Sequence, residues 1–237
     1  MTIGFAHRGA RLEHPDNTLD GFARALQLGA AGLETDAWVT ADGIAVLDHD
    51  GVLGRLRRTP LAALRRNELP SHIPTLADLY RLEGALGVDV SIDVKHPGAW
   101  PAVLAALGEV GGDPRRCWVC SDDVEALRRW RGAHPMVRLV HSTSTDRIGA
   151  DRRPSADGAH HQVAAHARRL AAVGVDALNL RAPAWGPASV AACHDAGVAA
   201  FAWDAQTGPV LEALVAMGAD AVYSDHVAVM VAVLAGT

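Results

Sequence analysis

The sequence has no block of clustered lysine and arginine. Its 22 basic residues stand against 27 acidic ones, giving a net charge of −5, and the basic runs are short pairs such as Arg57–Arg58, Arg65–Arg66 and Arg168–Arg169. A nucleic-acid footprint needs basic side chains gathered on one face, so that partner is not expected and the pairs read as solvated helix or loop faces. No apolar run reaches the roughly 18 residues that span a bilayer, so no integral membrane segment is expected either. The N-terminus, Met1-Thr2-Ile3-Gly4-Phe5-Ala6-His7, has neither the basic region nor the apolar core of a secretory signal, which makes a cytoplasmic location the default.

Cysteine is scarce. Cys117, Cys120 and Cys193 are the only three. Cys117-Trp118-Val119-Cys120 has the C-x-x-C spacing of redox and zinc sites, but no second pair completes a zinc site. The run looks like a strand, where residues three apart point to opposite faces, so both cysteines read as small packing residues. Linkers, low-complexity tracts and short-period repeats are missing as well. With 237 residues, 49% apolar and 21% charged, the chain has a globular composition and enough length for a large core. That length suits one (β/α)8 barrel or two small domains.

What is present is alternation. Short β-branched runs at Ile3–His7, Gly32–Trp38, Val88–Val94, Cys117–Ser121, Val137–His141, Ala177–Leu180, Ala199–Trp203 and Ala221–Ser224 alternate with amphipathic stretches. Helical periodicity marks Thr18–Leu28, Thr75–Leu82, Pro101–Val110, Val124–Arg131, Ala164–Val173, Ala188–Ala196 and Pro209–Met217, and glycine follows several of them, where a helix end favours a left-handed residue. Strands joined by helical crossovers predict a parallel sheet, and eight such units close into a single (β/α)8 TIM barrel over residues 1–237. An open doubly wound sheet often carries a glycine-rich dinucleotide loop after its first strand, and here that strand ends in His7-Arg8-Gly9-Ala10. The least regular stretch, Asp50–Pro74, reads as a short insertion after strand 2.

Barrel active sites form at the C-terminal ends of the strands, and the unusual polar residues fall there. His7 and Arg8 close the first strand, Glu34 and Asp36 sit in the second, Asp93 and Lys95 end the third, Trp203 and Asp204 the seventh, and Asp225 the eighth. Glu34 and Asp36 are two apart and share a face; Asp93 and Lys95 repeat the pattern on the next strand. Each residue alone has an ordinary explanation as a cap, an ion pair or a core histidine. Jointly they place three carboxylates in one barrel mouth, where their repulsion calls for a positive partner. One hard divalent cation, Mg2+ or Ca2+, suits an all-oxygen ligand set.

These residues carry a resemblance. His7-Arg8-Gly9, Pro15-Asp16-Asn17-Thr18, Leu33-Glu34-Thr35-Asp36, Thr40-Ala41-Asp42-Gly43, Asp48-His49-Asp50, Ile73-Pro74-Thr75-Leu76, Ser91-Ile92-Asp93-Val94-Lys95, His194-Asp195-Ala196-Gly197, Trp203 and Gly218-Ala219-Asp220-Ala221-Val222-Tyr223-Ser224-Asp225 together resemble the glycerophosphodiester phosphodiesterase family, in order and spacing, over nearly the whole chain. The resemblance implies metal-dependent hydrolysis of a small-molecule glycerophosphodiester to glycerol 3-phosphate and an alcohol. It implies His7 and His49 as the acid/base pair, Glu34, Asp36 and Asp93 as metal ligands, Arg8 and Lys95 on the phosphate, and Trp203 in the pocket wall. Asn17 reads as a loop-organising residue that caps the following helix. By the family's proposed route the glycerol 2-hydroxyl attacks the phosphorus and a cyclic phosphate is then hydrolysed, which saves the entropy of capturing a second reactant.

The chain departs from the family at Asp93, where a longer Glu is usual, at Asp204-Ala205-Gln206 in place of Thr-Val-Asn, and at His226-Val227 in place of Arg-Pro. The departures at 204–206 point to altered substrate specificity. A lysophospholipase D-like activity on the same barrel and a non-catalytic phosphometabolite-binding barrel therefore stand beside the hydrolase reading. A zinc amidohydrolase is disfavoured, because the first strand lacks His-x-His and His160–His161 falls in a stretch that reads as an irregular surface loop. The alcohol, the choice of metal and the oligomeric state stay open.

Overall fold

The computed structural model of the chain describes residues 1–54, 58–149 and 156–236, which leaves Arg57 outside the described residues. Eight parallel strands form the barrel: β1 Ile3–His7, β2 Gly32–Val39, β3 Asp89–Val94, β4 Cys117–Ser121, β5 Arg138–Ser142, β6 Ala177–Arg181, β7 Ala199–Trp203 and β8 Ala221–Ser224. Each pairs with the next, and β8 pairs with β1 to close the ring. The expected limits hold to within one residue at every strand, because the apolar runs are bounded by helix-capping and turn residues. The fold is a (β/α)8 TIM barrel.

Helices α1 Leu19–Gln27, α2 Leu76–Tyr80, α3 Ala99–Glu109, α4 Val124–Ala133, α5 Ala156–Ala172, α6 Pro187–Asp195, α7 Gly208–Ala216 and α8 Val227–Ala235 cover the barrel. Two were misjudged from the sequence. α8 was missed because Val-Ala-Val-Met-Val-Ala-Val-Leu-Ala is apolar all round and shows no 3.6-residue stripe. α5 begins well before Ala164 and takes in His160–His161, so the expected irregular loop there is a helix; the His160 side chain lies outside the described residues.

Two cores hold the barrel. The larger lies between the strands and the helices. The smaller fills the barrel interior with Phe5, Trp118, Cys120, Val140, Phe201 and Tyr223, the Phe5 and Tyr223 rings stacking at 4.9 Å. Gly32 is required here: a Cβ at that position would sit 2.5 Å from the Phe5 ring. This aromatic floor decides where polar residues can stand. On β1 the interior face runs Phe5 then His7, so the alternation of the strand lifts His7 one layer above the floor. Cys117 belongs to the outer core and Cys120 to the inner one, on opposite sides of the wall, and all three cysteines are free and buried.

The Asp50–Pro74 insertion carries a two-stranded antiparallel pair, Val52–Leu53 with Thr59–Pro60. Leu61, Leu69 and Ile73 of the insertion pack on Val46 in a small core of their own. Val46 belongs to a short strand, Ala45–Leu47, that runs antiparallel along the end of β2. Among the described residues no helix is long and apolar enough to cross a membrane.

Candidate active site

The register of the strands assembles the site. His7 lies opposite Glu34 between β1 and β2; Glu34 lies opposite Ser91, and Asp36 opposite Asp93, between β2 and β3. The interior faces of three neighbouring strands thus stack His7, Glu34 and Ser91 in one layer, with Asp36 and Asp93 in the next layer toward the mouth. They open into a cavity of about 450 Å³ that is also lined by Arg8, Arg11, Lys95, Cys120, Asn179, Trp203, Asp204, Gln206 and Asp225.

Seven of the eight residues given an acid/base, metal, phosphate or wall role meet there: His7, Arg8, Glu34, Asp36, Asp93, Lys95 and Trp203. His49 does not. It stands exposed on the loop after Ala45–Leu47, with Nδ1 2.8 Å from Asp50 Oδ1, outside the cavity wall.

Within the cavity every carboxylate has a partner. Arg8 Nε lies 3.0 Å from Asp36 Oδ2, and Lys95 Nζ lies 3.1 Å from Asp36 Oδ1 and 2.5 Å from Asp93 Oδ2. The three acids therefore share a cavity without forming a ready three-ligand cage among the described residues. Burial is the largest influence on the Lys95 ammonium and works against its charge, but Asp93 and Asp36 outweigh it and hold the pKa above the usual lysine range. Glu34 also departs from its ordinary range. Burial, then the charges of Asp36 and Asp93, raise its pKa to about 7 against the pull of His7. It accepts a hydrogen bond from the Arg8 backbone N–H at 3.0 Å.

His7 also resists its burial. Desolvation lowers its pKa, but the Glu34 charge and the Asp225 hydrogen bond together leave it raised. Its Nδ1 is 2.7 Å from Asp225 Oδ1, while Nε2 points toward Glu34 Oε2 at 3.9 Å.

Several functional residues were missed or misread from the sequence. Asn17 is not the helix cap; Thr18 is, its side chain accepting from the Gly21 N–H. Asn17 instead reaches inward. Its Nδ2 donates to Asp36 Oδ2 at 3.0 Å and its Oδ1 accepts from the Thr35 hydroxyl at 2.8 Å, all in a buried setting. Arg11 joins Asp16 at 2.9 Å and approaches Asp225 Oδ1 at 3.6 Å, and nothing in the sequence pattern singled it out. Gln206 turns toward Asp225, with Nε2 3.1 Å from Asp225 Oδ2, so this departure supports the site from behind. Arg8, Asn17 and Asp204 all adopt positive φ, at 56°, 56° and 63°. Left-handed backbone at non-glycine residues costs roughly 1–2 kcal/mol apiece and concentrates at working sites; here all three bracket the cavity. Gly9, at φ 83°, packs where a Cβ would meet the Gly21 backbone at 2.8 Å, which holds the loop carrying Arg8 against α1.

The comparisons agree with this geometry. The family model for the glycerophosphoryl diester phosphodiesterase family matches residues 7–229. A glycerophosphodiester phosphodiesterase of Caldanaerobacter subterraneus is 29% identical over a stretch covering 48% of this chain and 56% of that protein. The probable glycerophosphodiester phosphodiesterase 2 of Mycobacterium tuberculosis is 27% identical, covering 94% of this chain and 87% of its own. In three dimensions the barrel resembles an Oleispira antarctica phosphodiesterase solved in complex with its product sn-glycerol-3-phosphate, with TM-score 0.81, 21% identity and coverage of 99% and 97%. From His7 at the end of the first strand to Val229 in the last helix, the chain belongs to the glycerophosphoryl diester phosphodiesterase family.

Proposed function

We propose that this enzyme hydrolyses glycerophosphodiesters to glycerol 3-phosphate and an alcohol. The observation that carries the reading is the convergence of His7, Arg8, Glu34, Asp36, Asp93 and Lys95 on one cavity from the ends of three adjacent strands. Arg8 and Lys95 hold the phosphate there and offset the charge that grows on it in the transition state, where preorganised charge is typically the largest catalytic contribution. Trp203, at the exposed rim, forms the outer wall for the alcohol.

A divalent cation fits the donor set. The cavity wall carries five carboxylates against Arg8, Arg11, Lys95 and His7, and Glu34 is held half-neutral near pH 7 by burial and its acidic neighbours. Glu34, Asp36 and Asp93 would hold Mg2+ or Ca2+ through oxygen alone. Such an ion supplies Lewis-acid polarisation of a phosphoryl oxygen.

His7 accepts the proton of the glycerol 2-hydroxyl as its oxygen bonds to phosphorus. The bond from phosphorus to the alcohol oxygen breaks, and that oxygen takes a proton from His49. Water then attacks the phosphorus and gives a proton to His49, the bond from phosphorus to the glycerol 2-oxygen breaks, and His7 returns its proton to that oxygen, leaving glycerol 3-phosphate and both imidazoles as they began. For the second role His49, which stands exposed outside the cavity wall and bonded to Asp50, would have to swing inward and exchange Asp50 for the leaving oxygen. Hydrogen bonds of this kind often form only when substrate is present.

The walls favour a deacylated substrate over a lysophospholipid. A second cavity of about 450 Å³ adjoins the first and is lined by Asp93, Lys95, Asp122, Ser142, Thr143, Ser144, Arg147 and Trp203. Burying an acyl chain against such a wall would leave polar groups without water or partners. The test is cleavage of glycerophosphocholine and glycerophosphoethanolamine by chelated enzyme refilled with Mg2+ or Ca2+. No cleavage of any glycerophosphodiester under either ion overturns the proposal.

A further inference from the structure

Gln206 stands where the sequence suggested a specificity change, yet its carboxamide faces inward and is fully used. Its Oε1 accepts the backbone N–H of Asp225 at 2.9 Å and the Ser224 hydroxyl at 3.3 Å. Its Nε2 donates to Asp225 Oδ2 at 3.1 Å and to Asp204 Oδ1 at 3.3 Å. All four contacts agree with one orientation of the amide, since the oxygen meets only donors and the nitrogen only carboxylates. Gln206 thereby grips Asp225 by backbone and side chain together. The other oxygen of Asp225 accepts from His7 Nδ1 at 2.7 Å.

We propose that Gln206 and Asp225 are positioning residues for His7: the amide fixes the carboxylate, and the carboxylate fixes the imidazole with its proton on Nδ1 and Nε2 turned into the cavity. The deduction rests on the reading of His7 as the group that takes the substrate proton. Its physical content is orientational. A carboxylate on Nδ1 leaves Nε2 as the proton-accepting atom, and Nε2 is the ring nitrogen that faces Glu34 across the cavity, at 3.9 Å. The carboxylate in turn must not rotate. Asp225 is the first residue beyond β8, where no ladder partner holds it, and Gln206 supplies the missing constraint from the loop after β7. Arg11 only donates, so its approach to His7 Nδ1 at 3.4 Å is no hydrogen bond to a protonated nitrogen, and it acts on the carboxylate instead, 3.6 Å from Asp225 Oδ1. Asp204, with φ 63°, pairs with Arg181 at 2.6 Å and braces Gln206. The substitution of the family's usual residue at 206 therefore acts on catalysis rather than on substrate choice.

The test compares Gln206→Leu, Gln206→Asn, Asp225→Asn and His7→Ala with the wild type on one glycerophosphodiester, reading kcat and KM separately. Losing an outer partner of this kind typically costs about 10–100-fold. Gln206→Leu and Asp225→Asn should lose about that much in kcat, with KM changed less than about threefold. Gln206→Asn, which keeps the amide, should recover part of the loss. Long-range 15N–1H spectra of histidine-labelled protein give a second measurement that needs no turnover. In the wild type the His7 proton should sit on Nδ1, and in folded Gln206→Leu it should distribute over both nitrogens. Should His7→Ala be inactive while Gln206→Leu and Asp225→Asn keep wild-type kcat, or should their loss fall on KM alone, the positioning role is refuted and the role of His7 stands. Should His7→Ala itself retain wild-type kcat, the reading of His7 fails first.

Discussion

Acidification should destabilise this protein through a pair of histidines that take no part in the proposed chemistry. His141 on β5 and His166 on α5 are both buried and bonded to each other, Nε2 of His166 lying 2.9 Å from Nδ1 of His141. Arg169 reaches Nδ1 of His166 at 3.0 Å, and Nε2 of His141 meets the Asp122 carbonyl at 3.2 Å. Arg169 can only donate and a carbonyl can only accept, so the chain has one direction: Arg169 to His166 to His141 to Asp122, with both rings neutral. A proton on either ring places two N–H groups face to face. Burial first, then the charges of His141 and Arg169, lower the His166 pKa from 6.5 to about 4; burial also lowers His141. Between pH 6.5 and 4 the unfolded chain therefore binds more protons than the folded one, and stability falls as pH falls through that window. A fall of the His166 pKa from 6.5 to about 4 is worth on the order of 3 kcal/mol, a large share of a typical total of about 5–15 kcal/mol. Urea unfolding at pH 7 and pH 4.5 measures it. The wild type should lose roughly 2–3 kcal/mol more across that interval than His166→Gln, which cannot titrate. Equal losses in the two proteins would refute the directed chain of neutral rings.

Glu34→Gln should abolish turnover yet stabilise the metal-free protein at pH 8 by up to about 3 kcal/mol, because a carboxyl raised from 4.5 to about 7 loses stability as pH rises through that interval; denaturant midpoints of chelated protein check this. Asn17→Ala removes the buried donor to Asp36 and should cost about 1–3 kcal/mol of stability along with a fall in kcat, read by thermal unfolding and steady-state kinetics. The three thiols are buried and unpaired, Cys117 pushed up to about 12 by burial and Cys193 likewise. A disulfide reagent at pH 8 should label none of them in the folded protein and all three in urea.

The barrel was legible in the sequence because its strands are apolar runs whose length is set by the wall, bounded by residues that cannot continue them. α8 was not legible, since a helix apolar on every side has no periodicity to detect. The site was legible in part for the same geometric reason. Glu34–Asp36 and Asp93–Lys95 are i,i+2 pairs, and strand alternation alone puts each pair on one face. Asn17, Arg11 and Gln206 lie on loops, where sequence spacing carries no direction. Their roles depend on backbone turns such as the positive φ of Asn17 and Asp204, which only the folded chain reveals. Asp225 stood at a strand end in plain view. What the sequence could not supply was the 2.7 Å contact to His7, made between residues 218 positions apart.

Charge in the cavity leads to the last prediction. Arg8, Arg11 and Lys95 face Glu34, Asp36, Asp93, Asp204 and Asp225, so the wall is acidic by about two charges when its carboxylates are ionised, apart from His7. A phosphodiester is itself an anion, and like charges at low effective dielectric repel by several kcal/mol at contact distances. Arg8 and Lys95 cannot serve it freely while they are held by Asp36 and Asp93. A divalent cation at the carboxylates would cancel the excess and free both basic groups for the phosphate. Glycerol 3-phosphate should therefore bind chelated protein poorly and bind tightly only with Mg2+ or Ca2+ present. By linkage it should raise the affinity for the ion by the same factor. Calorimetric titration in both orders measures the two couplings. An affinity for glycerol 3-phosphate that is indifferent to the cation would mean that Arg8 and Lys95 already overcome the acidic wall, and the assignment of Glu34, Asp36 and Asp93 to a metal would fall with it.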